Sequence, residues 1–336
     1  MLINNHPYSK LTPDKVLDAI ASVGLMGDGR MLSLNSYENR VYLVYLESPY
    51  LGVHPQVVVK FYRPERWTRA QILEEHEFAQ ELEAEEIPMV APLVVAATTL
   101  NQFEEFSFSV SPRCGGRAPE LDQARVLQWV GRFIARIHVV GRAKPFATRP
   151  TLNIESFGYE SREFLLASGM VPPELLASWK AIVDQSLDAI AAGFERAGTM
   201  EHIRLHGDCH PGNILWTEDR GNSSIAAGPH FVDLDDARMG PAVQDLWMLL
   251  SGDSEDMKRQ VREVLTGYED FLEFDDRQLQ LIEPLRTLRL INYSAWIARR
   301  WEDPAFPAAF PWFNSQRYWQ DRILELREQV GLMQGG

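Results

Sequence analysis

Two stretches gather acids, an asparagine and histidines densely enough to do chemistry: His206-Gly207-Asp208-Cys209-His210-Pro211-Gly212-Asn213 and, shortly after it, Val232-Asp233-Leu234-Asp235-Asp236. Carboxylates and an amide on loops between strands suit hard, oxygen-preferring cations such as magnesium. In phosphoryl transfer one Asp accepts or orients the attacking hydroxyl, an Asn five residues on holds metal, and a second Asp at a strand end bridges metal to phosphates. Asp208, Asn213 and Asp233 supply that set. Two other readings use the same residues. His206, Asp208 and His210 form a His-x-Asp-x-His run able to ligate zinc in a metal hydrolase, although the eight histidines of the chain give no further closely spaced pair. A plain solvated loop explains neither the Asn spacing nor the return of acids at a strand end.

A second constellation lies upstream. In Val57-Val58-Val59-Lys60-Phe61-Tyr62, strand alternation puts Lys60 on the face of Val58 and Tyr62, so its ammonium projects from an apolar strand and needs an anion. In the helix that follows, Ile72, Phe78, Ala79 and Leu82 form a stripe whose centre falls on Glu75, with Glu74 at its edge. Burying either charge alone is costly, so Lys60 and Glu75 are expected to pair, and the lysine then holds a nucleotide's α and β phosphates. No Gly-x-x-x-x-Gly-Lys loop is present to cover those phosphates, and Gly27-Asp28-Gly29 lacks the third glycine of Gly-x-Gly-x-x-Gly. The turn Asn35-Ser36-Tyr37-Glu38-Asn39-Arg40 takes that place: its hydroxyl, amides and backbone N–H groups can donate to phosphate, Ser36 first and Asn39 with it.

These residues need elements to hold them. A helix is expected from Pro13, capped by Thr12 and ended by Gly24. Strands follow at Met31–Asn35, Arg40–Glu47 and Gln56–Tyr62, and Thr68 with Gln71 makes a capping-box pattern for a helix to about Glu83. Further strands are expected at Leu93–Ala97 and Phe106–Ser111. The stretch Arg113–Pro119 breaks the pattern. Beyond it come a helix over Leu121–Val140, short strands at Ile203–His206 and Phe231–Leu234, and helices to about Val330. The fold class is therefore α+β, with a nucleotide-binding lobe over residues 1–113 and a larger helical lobe over 114–336.

At 336 residues, 45% hydrophobic and 24% charged, the chain is globular and long enough for two lobes. Its net charge of −14 argues against nucleic acid or an anionic membrane as the main partner. Cys114 and Cys209 are too few for a disulfide framework, which points to a reducing compartment. Met1–Lys10 reads as no leader. The longest apolar run, Ile87–Ala97, is too short to cross a membrane and contains Pro88 and Pro92.

The catalytic-loop form His-Gly-Asp-Cys-His-Pro-Gly-Asn resembles the protein-kinase-like fold in its branch of aminoglycoside phosphotransferases and choline kinases, with Gly207 where the protein-kinase signature has Arg. Longer stretches from Leu34, Val59, Ile72, Leu205, Phe231, Gln244 and Trp301 resemble a bacterial Ser/Thr protein kinase family within that branch. The resemblance implies a two-lobed, magnesium-requiring, ATP-dependent kinase that phosphorylates itself and other proteins. It also implies a cytoplasmic monomer linked to envelope and oxidative stress. By resemblance Asp208 is the proton acceptor, Asn213 and Asp233 are magnesium ligands, Ser36 touches the nucleotide, and Lys60 and Glu75 form the ion pair. Asp233-Leu234-Asp235 stands where Asp-Phe-Gly is usual, so control through that Phe is not assumed, and Asp235 is a candidate for a second metal. The adenine is expected near Val58 and the backbone of Ser111 to Arg113.

A small-molecule alcohol kinase and a nucleotide-binding scaffold without catalysis stay open as alternatives. Arg286, Arg289, Arg299 and Arg300 argue either for an anionic partner or for internal salt bridges, with salt bridges favoured for at least half. Asp245 reads as a structural acid near the catalytic loop, Cys209 as packing. Tyr293, Trp296, Trp301 and Trp312 read as a substrate surface or as core, and core is the commoner outcome at helical spacing.

Overall fold

In a computed structural model, residues 6–218 and 227–335 are described; the start of the Met1–Lys10 stretch lies outside them. Helix α1 (Pro13–Ser22) begins as expected: the Thr12 side chain accepts from the Lys15 amide and Pro13 opens the first turn. It packs against an antiparallel sheet of β1 (Gly27–Ser33), β2 (Arg40–Tyr50), β3 (His54–Phe61), β4 (Asn101–Phe103) and β5 (Phe106–Pro112), ordered β1-β2-β3-β5-β4. Lys60 faces Val41 of β2 on one side and Ser109 of β5 on the other, so it sits mid-sheet. Strand β1 starts earlier than its apolar alternation indicates. Its pairing with β2 is irregular between Gly27 and Met31, where Gly29 has φ +89°.

Helix α2 (Arg69–Ala84) carries the full capping box, with Thr68 and Gln71 each bonding the other's backbone amide. It buries Ile72, Glu75, His76, Phe78, Ala79 and Leu82. Phe78, Ala79 and Leu82 join the large core of the helical part, whereas the sheet and α1 form a separate core of their own. The expected strand Leu93–Ala97 does not form. Val95 makes a single bridge to Thr98, and Ala96 and Ala97, at φ +50° and +66°, turn the chain back toward β4.

The second part runs α3 (Ala124–Arg142), α4 (Glu160–Ser168), α5 (Pro173–Ala197), β6 (Ile203–Leu205), β7 (Ile214–Thr217), β8 (Gly228–Phe231), β9 (Arg238–Gly240), α6 (Gln244–Trp247), α7 (Ser254–Tyr268), α8 (Ile282–Arg299), α9 (Ala305–Ala309) and α10 (Gln316–Gln334). Strands β6 and β9 pair antiparallel, as do β7 and β8. The strand expected at Phe231–Leu234 ends at Phe231, because Asp233 takes a left-handed φ of +64° and a 3₁₀ turn covers Leu234–Asp236. From Leu234 to Leu250 the chain folds straight back into the interior. That stretch contains no Ser, Thr or Tyr. The two parts are joined by Phe231, whose amide donates to the Pro88 carbonyl at 2.7 Å and whose carbonyl accepts from the Val90 amide at 2.9 Å.

Helices α3 and α7 meet backbone to backbone through glycines. A Cβ at Gly267 would lie 1.9 Å from the Gln128 carbonyl oxygen, and one at Gly131 would lie 2.1 Å from that of Val264. Gly267→Ala must therefore push the helices apart, and we expect it to cost about 3 kcal/mol, read as a lower urea midpoint with unchanged m-value.

Candidate active site

Asp208 follows β6, and Asn213 closes the short 3₁₀ turn that leads into β7. The Asn213 Nδ2 donates to the Asp208 carbonyl at 3.0 Å, which commits the donor side of the amide to the loop. The loop backbone is fixed from below by Asp245, fully buried, whose carboxylate accepts from the His206 and Gly207 amides, both at 2.8 Å. His138 Nε2 lies 3.1 Å from the same carboxylate. Burial would raise the Asp245 carboxyl, and the bonds from His138 and Gly207 hold it below its ordinary value instead. Asp245 is thus the structural acid the sequence indicated. Gly207 is required on two counts: its φ is +84°, and a Cβ there would stand 2.1 Å from the Asp236 carbonyl oxygen.

The zinc-hydrolase run does not assemble. His206 is fully buried with Nε2 2.9 Å from the Val232 carbonyl. Among the described residues no three His, Cys, Asp or Glu side chains converge as a self-contained metal site. What does converge is an oxygen pair. The Val232 amide donates to the Asn213 carbonyl at 3.0 Å, setting Asn213 beside Asp233, whose side chain is 48% exposed. An amide and a carboxylate facing a cleft fit a hard divalent cation that takes its remaining ligands from phosphate and water.

Lys60 reaches three carboxylates: Asp233 at 2.9 Å, Asp235 at 3.1 Å and Glu75 at 3.6 Å. Burial would lower its ammonium, and these anions outweigh burial and hold it well above the ordinary lysine value. The helix acid is Glu75; Glu74 instead accepts the amides of Ala147, Thr148 and Arg149. Burial keeps the Glu75 carboxyl above its ordinary value although Lys60 pulls it down. Its second oxygen lies 3.3 Å from Arg149, a fully buried guanidinium that also donates to the carbonyls of Ala237, Asp235 and Gln71. Asp235 is buried between Lys60 and Arg66, and Arg66 also holds Asp236 at 3.0 Å. The Asp235 side chain that the sequence assigned to a second metal is therefore engaged by two cations. Arg66 and Arg149 were not singled out from the sequence, since each sits in a loop without periodicity.

The turn over the cleft is latched to the helical part. Glu38 takes Arg300 at 2.6 Å and the Trp296 indole N–H, with Arg63 at 3.6 Å. Buried Asp303 takes Arg63 at 2.9 Å and Arg40 at 3.2 Å. Asn39 is buried, and its side-chain oxygen accepts from the Arg63 amide at 3.0 Å.

Two cavities meet beneath that turn. One, of about 350 Å³, is lined by Val58, Lys60, Glu75, Met89, Ser111 and Cys114. The other, of about 440 Å³, is lined by Asp208, Arg289, Tyr293, Trp296 and Phe310. Ser36, Asn213 and Asp233 line both. Val58, Lys60, Glu75 and Ser111 thus lie together, whereas the Arg113 side chain is exposed and lines neither cavity. Tyr293 and Trp296 line the second cavity as well as stacking on each other, so they pack with the core and face that space at once. Cys209 is buried in the core, and burial pushes its thiol up, in keeping with a packing role.

A carboxylate beside an amide–carboxylate pair, next to a cavity that holds a mid-sheet lysine, defines a phosphotransferase on a protein-kinase-like fold. Residues 32–282 match the family model described as the phosphotransferase enzyme family, and the chain belongs to that family. It is similar to stress response kinase A of Escherichia coli (strain K12), with 43% identity over 97% of this chain and 95% of that protein. It is likewise similar to the serine/threonine protein kinase RdoA of Salmonella typhimurium, with 41% identity over 98% and 96%. Among solved structures, an amicoumacin kinase in complex with AMP-PNP, Ca2+ and Ami superposes with a TM-score of 0.72 at 17% identity, covering 96% of this chain and 93% of that one. A choline kinase from Cryptosporidium parvum gives 0.60 at 14% identity, covering 90% and 89%. At such identities these two share the fold.

Behind Lys60, the Tyr62 hydroxyl lies 2.6 Å from His76 Nε2, and Thr99 Oγ1 lies 2.9 Å from Nδ1. Burial, with Lys60 and Arg149 nearby, pushes the imidazole down to about 3. The fold thus holds His76 neutral while the unfolded chain protonates it below about pH 6.5. Stability should fall as pH drops from about 6.5 towards 3, by up to about 1.4 kcal/mol per pH unit from this group. Urea midpoints at pH 7 and pH 5 should drop less for His76→Gln than for wild type.

Proposed function

We propose that this protein is an ATP-dependent Ser/Thr protein kinase that phosphorylates itself and other proteins. The observation that carries the reading is the meeting of two cavities at Ser36, Asn213 and Asp233, with Lys60 on one side and Asp208 on the other. The first cavity receives ATP, its adenine near Val58 and the backbone from Ser111 to Arg113. The second receives the acceptor. In the transfer the acceptor hydroxyl oxygen bonds to the γ-phosphorus as the bond from that phosphorus to the bridging oxygen breaks. ADP leaves with the electron pair, and the hydroxyl proton passes to Asp208. Asn213 and Asp233 are the residues that would hold Mg2+, which when bound neutralises phosphate charge. Lys60, positioned by Glu75, holds the α and β phosphates. The Asp235 side chain we assign to Lys60 and Arg66 rather than to metal, and Asn39 to the shape of the turn.

The protein acceptor is supported by the names of the relatives, two of which are a stress response kinase and a serine/threonine protein kinase. On the same basis we place the protein in the stress response. The division into a nucleotide lobe over 1–113 and a catalytic lobe over 114–336, the cytoplasm and the monomeric state belong to this proposal. Among the described residues no helix is long and apolar enough to cross a membrane. A second reading, a small-molecule alcohol kinase, draws support from the roofing of the acceptor cavity by Tyr37 and Glu38 and from the amicoumacin and choline kinases that share the fold.

The deciding experiment incubates the protein with γ-labelled ATP and Mg2+, alone, with a generic protein acceptor, and with a panel of small alcohols. Label on Ser or Thr establishes the protein kinase. ATP consumed only with small alcohols replaces it by the second reading, and binding without turnover leaves a scaffold. Asp208→Ala should lower transfer about 10²–10⁴-fold while ATP still binds. Lys60→Ala should weaken both binding and turnover. Glu75→Gln should impair turnover less than Lys60→Ala, because Asp233 and Asp235 still hold the ammonium; full activity of Glu75→Gln would sink the ion-pair role.

A further inference from the structure

A third space, a cleft of about 400 Å³, adjoins the acceptor cavity and is lined by His210, Trp247, Arg286, Arg289, Tyr293 and Arg322 together with apolar side chains. His210, Arg289 and Tyr293 line both spaces, so the cleft opens onto the place where the hydroxyl reacts. Among the described residues no Asp or Glu lines it. In a chain of net charge −14, three guanidiniums gather on this one wall, each paired with an acid that lies outside the lining.

The arginines come from two helices. Arg286, Arg289 and Tyr293 lie at helical spacing on one face of α8, and Arg322 faces them from α10. Arg286 stacks over Trp247 at 5.8 Å, and its ion pair, to Glu283 one turn back, is loose at 3.7 Å. Arg322 pairs with Glu325 on its own helix, and its buried Nε has no hydrogen-bond partner. Burial and Arg289 hold the His210 imidazole below its ordinary value, with Asp208 opposing them. Arg299 and Arg300 are spent elsewhere, on Phe164 with the Glu160 carbonyl and on Glu38.

Arg289 is the hinge of the arrangement. Among the described residues its one ion pair is with Asp208, at 2.6 Å, and its side chain is 42% exposed, free to swing toward the cleft. While that pair holds, the carboxylate meant for the acceptor hydroxyl is engaged by a cation. We propose that the cleft binds an anionic group of the acceptor, in a protein the carboxylate of an Asp or Glu flanking the phosphorylated residue. Its arrival draws Arg289 away from Asp208, so acceptor recognition frees the base. This deepens the kinase reading above and rests on it. Arg289 is then a positioning and specificity residue.

The test measures equilibrium binding, so it does not depend on turnover. Three matched peptides, with Ala in place of the acceptor Ser and Glu, Gln or Lys on either side, are titrated by calorimetry into the protein loaded with ADP and Mg2+. Retained ADP affinity verifies that each variant is folded. The Glu peptide should bind about tenfold tighter than the Gln peptide. Arg286→Gln and Arg322→Gln should each remove most of that preference, and Arg286→Lys should keep it. With Ser-containing peptides, Arg289→Gln should bring the ratio of kcat/KM values for Glu and Gln peptides close to one, whereas Arg289→Lys preserves it. Equal affinity for the three peptides, or tightest binding of the Lys peptide, overturns the proposal. If a small hydroxy acid such as glycerate is phosphorylated and its binding is lost in Arg286→Gln, while no peptide binds, the anion site stands and the protein-kinase reading falls. If neither glycerate nor any peptide binds, the anion site is refuted.

Discussion

The junction between sheet and helices is a place where charges exist only by mutual consent. Lys60, Arg66 and Arg149 are sunk among Glu75, Asp233, Asp235 and Asp236, and Arg149, Glu75 and Asp235 are almost wholly shut off from water. An isolated buried ion costs several kcal/mol, so each group is stable there only while its neighbours stay in place. That requirement explains geometry far from the chemistry. Arg149 must be fully enclosed to reach Glu75, and its remaining donors must then be met by the carbonyls of Gln71, Asp235 and Ala237. The position of α2, the course of the loop before α4 and the tight turn after Asp233 all follow from satisfying that one network.

The same network sets what the site can accept. Lys60 is shared among three carboxylates. On the proposed function, a nucleotide's phosphate oxygens would compete for the lysine, and a divalent cation would compete for Asp233, the most exposed of the three. Under that reading the two would bring opposite charges, each offsetting part of the imbalance that the other would leave at the Lys60–Asp233 pair.

What was legible in the sequence was whatever local geometry dictates. Asp208 and Asn213 lie on one short loop, and Lys60 is placed by a two-residue period. Glu75 rather than Glu74 follows from the angle of one residue around a helix, a distinction that the structure draws clearly. The capping box at Thr68 and the proline start of α1 are likewise local. The failures are where position is decided by partners far along the chain. Leu93 to Ala97 carries apolar residues suited to a strand, yet the turn at Ala96 and Ala97 hands the pairing to Asn101–Phe103, a segment with little strand character. Asp233 follows the apolar pair Phe231-Val232, and nothing in its neighbours announces the left-handed turn that ends the strand. Arg66, Arg149 and the bond between Glu38 and Arg300 join loops to residues up to 262 positions away, and no period connects them.

The stretch from Leu234 to Leu250 also bears on how the molecule is governed. In protein kinases the segment after the metal-binding Asp is a loop that is switched by attaching phosphate to a hydroxyl within it. Here that segment is short and folded into the interior, and it offers no hydroxyl to modify. Its conformation is set by packing in the interior. If the chain is the kinase proposed above, its competence does not wait on phosphate attached within this stretch.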